Sequence, residues 1–372
     1  MAQKEIIIIG AGIVGVMLAL RLSADSNVKI TLVDKGDAGN GATQFSFAWL
    51  NVSYGKPDNY QRLRASALNA WHKLETEISL PLNIRWSGAI SWQNNDLETA
   101  HFIESHRAQK FEVMQFSKTD LANKEPLLKS LPNISAFAPH EGAIDPIYVI
   151  HVLLEEAIAR GVNYIPNTKI LSLSQDETGK MIGVATANTY YHADQIILAA
   201  GIDNKALLHS HGVELPITAS PSIIIRFKHD VYPNLTQHII SNPEMEIRSI
   251  DDEHLLAAQD YIDDAPDNTP QIIAKKALKT IQGQFSSSAP KLNIDKVALG
   301  LRPMPLDEMP IVGFIDHHQS LYHLSMHAAV TLSPLISQLA AKEILEKREE
   351  PALMPYRISR FNTMSTTDSF QI

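Results

Sequence analysis

Apolar and polar positions alternate in blocks along this chain, and the blocks change period in a regular order. Glu5 to Ile9 is a short β-branched run, the pattern of a strand buried on both faces. Ile13 to Leu22 is apolar and helix-compatible, and Val28 to Val33 repeats the strand pattern before Asp34. These pieces predict a β-α-β unit within about thirty residues. From Asp58 to Ile78, Leu63, Ala67, Ala70, Trp71 and Leu74 fall at steps of three and four, which predicts an amphipathic helix.

Between Ile84 and Phe137 the texture shifts. A strand-like Ala89 to Trp92 is followed by a charged helical Leu97 to Gln109. Ile147 to Arg160 reads as a helix stopped by Gly161. Strands are predicted at Asn163 to Ile165, Lys169 to Leu173, Met181 to Thr186 and Gln195 to Ala199. Ser222 to Phe227, Gln237 to Ser241 and His254 to Ala258 read as an antiparallel sheet. Thr269 to Phe285 and Thr331 to Arg348 read as helices. No internal repeat or low-complexity segment interrupts this order.

One glycine cluster carries chemistry. Gly10-Ala11-Gly12-Ile13-Val14-Gly15 follows a strand and opens a helix, with Asp34 nineteen positions past the last glycine. Gly10 permits the tight turn, Gly12 lets backbone approach a pyrophosphate, and Gly15 lets helix and strand pack closely. The helix N-terminus offers amide donors and partial positive charge to phosphates. Asp34 is placed to accept hydrogen bonds from a ribose. The unit is therefore a Rossmann-type dinucleotide site, and the motif alone does not choose FAD over NAD.

Later segments resemble the D-amino-acid oxidase, glycine oxidase and sarcosine oxidase group of FAD-dependent oxidoreductases, in order along almost the whole chain. They are Gly41-Ala42-Thr43-Gln44-Phe45-Ser46-Phe47-Ala48-Trp49, Gly142-Ala143-Ile144-Asp145-Pro146 and Ile196-Ile197-Leu198-Ala199-Ala200-Gly201. Two more follow: Gly300-Leu301-Arg302-Pro303 running on through Pro310-Ile311-Val312-Gly313, and Met326-His327-Ala328-Ala329-Val330-Thr331. The first is bulkier than usual at Phe45, Phe47 and Trp49, and the last has alanine where many relatives have glycine.

The resemblance implies an α/β fold with an α+β second domain: a Rossmann-type FAD-binding domain with a parallel sheet, plus an antiparallel-sheet substrate domain. The expected division is 1–84, 142–218 and 298–372 for FAD, and 85–141 and 219–297 for substrate. It implies FAD contacts at Gly10, Gly12, Ile13, Val14, Gly15, Asp34, Lys35, Gly41, Ala42, Thr43, Phe45, Ser46, Ala200, Gly201, Arg302, Ala328, Ala329, Val330 and Thr331. Arg302 and His327 are the implied catalytic residues. A guanidinium suits a substrate carboxylate because its donors form a planar fork. Alternatively, Arg302 pairs with Asp307 or Glu308, His327 is a core histidine, and Asp145 simply caps a helix with Pro146 at its first position.

The implied reaction is FAD-dependent oxidation of a small amine or amino acid, with hydride passing to flavin and the imine hydrolysed afterwards. Oxygen or a quinone is the expected acceptor. Trp86, Trp92 and Tyr261 are expected at the pocket wall. The acidic positions Asp251, Asp252, Glu253, Asp260, Asp263 and Asp264 are expected on solvated surface, with a preference for a cationic substrate as the alternative.

Composition narrows the alternatives. The net charge of −9 and the absence of a basic cluster count against a nucleic-acid partner, and so against a tRNA-modifying flavoenzyme. The chain has no cysteine, which excludes disulfides, thiolate metal ligands and a flavin tethered through sulfur. The histidines show no metal-binding spacing, so no metal is expected. An NAD-dependent dehydrogenase would need a catalytic dyad and leaves the later motifs without a purpose. A non-catalytic or hetero-oligomeric flavin-binding subunit stays open, as do oligomeric state and flavin attachment through histidine. No run is long enough for a membrane span. A cytoplasmic location is expected, with peripheral membrane association left open.

Overall fold

The computed structural model describes residues 3–53, 57–229, 234–261, 265 and 268–361. Asp263 and Asp264 of the acidic stretch lie outside the described residues.

The first sheet has six strands, in the order Ile311–Phe314, Leu321–Ser325, Gln195–Leu198, Lys4–Ile9, Val28–Val33 and Asn163–Ile165. All neighbours are parallel except the Ile311–Phe314 edge. The uninterrupted apolar runs follow from burial on both faces. Ile6, Ile8, Ile30, Leu32 and Ile197 pack under the helices Ile13–Leu22, Pro146–Ala159 and Ala329–Glu346. Their neighbours Ile7, Ile9, Val33, Ile196 and Leu198 turn the other way, against a three-stranded antiparallel sheet that carries Leu173, Met181 and Val184. Period-two alternation thus fills two cores from one apolar run. Asp145 caps the Pro146–Ala159 helix, accepting from the Ile147 and Tyr148 amides, with Pro146 at the first position.

The second sheet has eight strands, in the order Asn293–Pro305, Ile217–Lys228, His254–Asp260, Met245–Ser249, Ile239–Asn242, Ala89–Ser91, Ile134–Ala138 and Met114–Ser117. Its pairings are antiparallel except between Ile239–Asn242 and Ala89–Ser91. One face is covered by the helix Pro270–Gln284 through Ala274, Ala277 and Ile281. The strands Ile217–Lys228 and Asn293–Pro305 run without a break through positions 218 and 297.

Several elements differ from the sequence pattern, and three bear on the cores and the cleft. Residues 169–171 are not strand, although Ile170 enters the same core as Leu173; the strand is Ser172–Gln175. The Ile217–Lys228 strand continues through Pro221, where the pattern stops at Ser222. Proline is tolerated there because pairing with His254–Asp260 begins only at Ser222, so no neighbour on that side needs the missing N–H. Met245–Ser249 has no counterpart in the expected elements.

His323 sits in the Leu321–Ser325 strand, fully buried, and neither ring nitrogen has a hydrogen-bond partner among the described residues. Burial pushes its pKa down to about 3, so it is neutral at pH 7. The unfolded chain titrates this group near its ordinary 6.5 and binds the proton first. Stability from this site is therefore complete above pH 6.5 and declines as pH falls toward 3. In His323→Leu that acid limb should flatten, as read from urea midpoints against pH; an unchanged limb contradicts the assignment.

Candidate active site

The turn after the first strand is built by its glycines. Gly10 has φ +106° and donates its N–H to the Val33 carbonyl at 2.8 Å, fastening the turn to the second strand. A Cβ on Gly15 would collide with the Gly10 carbonyl oxygen, so helix and strand touch only because Gly15 has no side chain. Gly12 is different. Its φ of −73° suits any residue, and a Cβ there would meet only Thr43 Oγ1, at 3.3 Å. Neither backbone strain nor packing requires glycine at position 12; the space beside it opens into a cleft.

That cleft has a volume of about 2180 Å³ and runs between the two sheets. Every position implied for cofactor or catalysis lines it except Gly15, which works from behind. The first-turn amides of the Ile13–Leu22 helix face it without a side-chain cap. Asp34 braces the turn, accepting from the Ala11 amide at 2.6 Å and the Gly36 amide at 2.8 Å. Each carboxylate oxygen keeps a further acceptor site for a ribose hydroxyl. Thr43 Oγ1 accepts from the Ile13 amide at 3.3 Å, fixing the Ala42–Phe45 turn to the helix start. Lys35 pairs with Asp203 at 2.5 Å beside Ala200 and Gly201, and Gly201 has φ +61°. Gly41, like Gly12, leaves open cleft where a side chain would stand, with nothing within 4 Å of a built Cβ. A dinucleotide fits these residues: a helix start whose Ile13 amide alone meets a side chain among the described residues, a carboxylate at the turn and two glycines facing the cleft.

At the other end, the helix Ala329–Glu346 begins at the cleft with no side-chain cap. Thr331 donates to the Trp49 carbonyl at 3.0 Å, and Trp71 donates to the Val330 and Thr331 carbonyls, each at 3.1 Å. The Phe45–Trp49 segment is thereby held over the helix start.

Arg302 leaves the edge strand Asn293–Pro305. Its guanidinium donates to Ser220 Oγ at 2.9 Å, the Pro221 carbonyl at 3.3 Å and Asp260 at 3.2 Å. The expected alternative partners do not serve: Asp307 is held by Arg360 at 2.7 Å, and Glu308 makes no ion pair with Arg302. Asp260 is solvent-exposed, as expected, and stands at the cleft. His327 opens onto the cleft. Restricted solvation first, then the charges of Arg302 and Arg64, lower its pKa to about 4, with Asp260 opposing. It is neutral at pH 7 and offers one donor and one acceptor.

The aromatic wall lies elsewhere than expected. Trp86 stacks on His72 and donates to Glu75 at 2.8 Å, while Trp92 and Tyr261 pack against the core under the Pro270–Gln284 helix. These rings fill cores; Phe45, Phe47 and Trp49 line the cleft instead.

Arg64 and Glu246 are cleft residues absent from the expected set. Arg64 is buried, donates to the Asn51 carbonyl at 3.1 Å and to the Asn51 side chain, and lies over the Tyr60 ring. Its signal was in the sequence: position 64 falls on the apolar stripe of its helix with Tyr60, Ala67 and Trp71.

Among the described residues, no group of His, Asp or Glu could hold a metal ion, and no helix is long and apolar enough to cross a membrane.

Comparison with known proteins shows the family and the fold. An opine oxidase subunit of Agrobacterium tumefaciens (strain Ach5) is 23% identical over 381 residues, covering 97% of this chain and 99% of that protein. Glycine oxidase of Pseudomonas putida is 22% identical, covering 91% and 93%. The solved glycine oxidase of Geobacillus kaustophilus shares the fold, with a TM-score of 0.83 at 16% identity, covering 97% of this chain and 99% of that one. The model of the FAD dependent oxidoreductase family (DAO) matches residues 5–343, and the chain belongs to that family.

Proposed function

We propose that the chain oxidises a small amine or amino acid at the amine-bearing carbon, and that the imine product is then hydrolysed. The supporting observation is that Arg302 and His327 stand in the same cleft as the glycine turn. FAD, when bound, supplies a two-electron acceptor; the protein supplies binding and aim. In this reading the helix-start amides that Thr43 does not engage take the diphosphate, and Asp34 takes the ribose. Arg302 exchanges Asp260 for a substrate carboxylate and so orients the reacting C–H. Neutral His327 gives a polar contact without adding positive charge beside the substrate. The helix start at Ala329 places partial positive charge near the flavin end of the cleft, where negative charge accumulates on reduction. The division of labour proposed is 1–84, 142–218 and 298–372 for FAD and 85–141 and 219–297 for substrate.

Arg302→Ala should keep its FAD and lose about 10- to 100-fold in kcat/KM for a carboxylate-bearing amine, the worth of a charged hydrogen-bonded contact. Steady-state kinetics alongside the flavin-to-protein absorbance ratio decide this. Unchanged kinetics would remove Arg302 from the carboxylate role. The reading as a whole is tested by anaerobic bleaching of the flavin with glycine, sarcosine, D-alanine, L-proline and N-methyl-L-tryptophan. Bleaching by one of them supports it, and none bleaching overturns it.

A second reading has one observation in its favour: the Agrobacterium relative is named as a subunit. In that reading this chain works within a hetero-oligomer, and the isolated chain holds flavin that no amine in the panel reduces.

A further inference from the structure

On the substrate side of the cleft stands a carboxylate that pairs with nothing among the described residues. Glu246 belongs to the strand Met245–Ser249, whose Met245 and Ile247 enter the core beneath the Pro270–Gln284 helix. Alternation sends Glu246 to the opposite face, where it lines the cleft. The register sets Glu246 between Ala258 on one neighbouring strand and Ser241 on the other, with Ile224 beyond Ala258. Two residues beyond Ala258 on the same face comes Asp260. Arg302, opposite Ser220, lies further along that face. No hydrogen bond or ion pair from the described residues reaches the Glu246 carboxylate. Burial first, then the charge of Asp260, push its pKa up to about 7 against the pull of Arg302.

A poorly solvated carboxylate without a donor is costly unless something supplies one. The complement is a cation that carries N–H groups, and a charged hydrogen bond is the strongest available. Arg302 is near enough for its charge to act on Glu246, with Asp260 between them in the register. One face of the sheet therefore presents a positive and a negative group, the pattern of a zwitterion.

We propose that Glu246 binds the ammonium group of an amino acid whose carboxylate is held by Arg302, and accepts the proton that the amine sheds before oxidation. This rests on the amine-oxidation reading above. In the proton step one N–H bond of the ammonium breaks and an O–H bond forms on Glu246, while nitrogen keeps the electron pair. That pair forms the C=N bond as the C–H hydrogen leaves with two electrons. The substrate is oxidised by two electrons and the flavin is reduced by two.

The test uses two inert twins. 2-Aminoisobutyrate has no hydrogen on its amine-bearing carbon and cannot be oxidised there; isobutyrate is the same acid without the amine. Binding of each to FAD-loaded protein is measured by calorimetry for wild type and Glu246→Gln. The expected result is at least a tenfold preference of wild type for 2-aminoisobutyrate. In the variant that preference should vanish, with FAD content and isobutyrate affinity unchanged. A wild type that binds the twins equally, or binds neither, overturns the proposal, as does a variant that keeps the preference. A protein that fails this test but is bleached by an amine keeps the amine-oxidation reading without Glu246; a protein that no amine bleaches loses both.

Discussion

Gly12→Val is expected to yield a folded chain that holds FAD at least about 100-fold more weakly than wild type. The backbone at position 12 is extended and free of strain, and a Cβ would touch only the Thr43 hydroxyl. Valine there costs the fold little. The same side chain stands in the cleft beside the uncapped helix amides, where a diphosphate must come within hydrogen-bond distance of backbone. Losing two charged hydrogen bonds to phosphate costs about 3 kcal/mol or more, which is at least two decades in affinity. Gly15→Ala is the control with the opposite outcome. Its methyl collides with the Gly10 carbonyl, so the helix must leave the strand and the fold itself weakens. Flavin titration with circular dichroism separates the two; a Gly12→Val chain that binds FAD as wild type does would remove the phosphate role from this turn.

The second large effect lies at the far end of the helix that begins at the cleft. Glu343 is fully buried and accepts from the Tyr322 hydroxyl at 2.6 Å, the Glu350 amide at 2.6 Å and the Arg357 guanidinium. Arg357 in turn donates to the Val312 carbonyl at 2.9 Å. One carboxylate thus ties the Ala329–Glu346 helix to two strands of the first sheet and to the segment after it. Glu343→Ala leaves a mostly buried guanidinium with only the exposed Glu349, 3.9 Å away, as counter-charge, and the expected loss is about 3 kcal/mol of unfolding free energy. Replacing both partners, Glu343→Leu with Arg357→Met, should recover much of it, because neither charge then stays buried alone. Urea midpoints of the three proteins decide; a Glu343→Ala loss under about 1 kcal/mol, the size of an ordinary surface change, would show that the network is not holding the helix.

Much of the first sheet was legible because its strands obey one simple demand. A strand buried on both faces must be apolar throughout, and Lys4–Ile9, Val28–Val33 and Gln195–Leu198 are nearly so. The glycine turn was legible for the same reason: each glycine answers a separate steric or ligand requirement. The second sheet was harder. One of its faces borders a cleft, so polar residues sit where alternation alone leads one to expect solvent. Met245–Ser249 does alternate, with Glu246 after Met245 and Arg248 after Ile247, but over only five residues. The Asn242–Pro243 pair before it was the available turn signal. Trp86, Trp92 and Tyr261 misled for a related reason, since a large aromatic suits a core as well as a pocket wall and local sequence does not choose. Arg302 was placed correctly in the cleft, but its partner Asp260 lies 42 positions away in sequence and meets it only through strand pairing. Such partners are set by register, which sequence pattern on a single strand does not carry.

The central claim is that the opening β-α-β unit grips a flavin dinucleotide at the head of the cleft. It is tested most directly by titrating flavin-free protein with FAD and following the fluorescence of the isoalloxazine ring. The account predicts saturation at one FAD per chain, with ADP competing for the same site. Fluorescence that stays unchanged while FAD is added in excess to folded protein would contradict it.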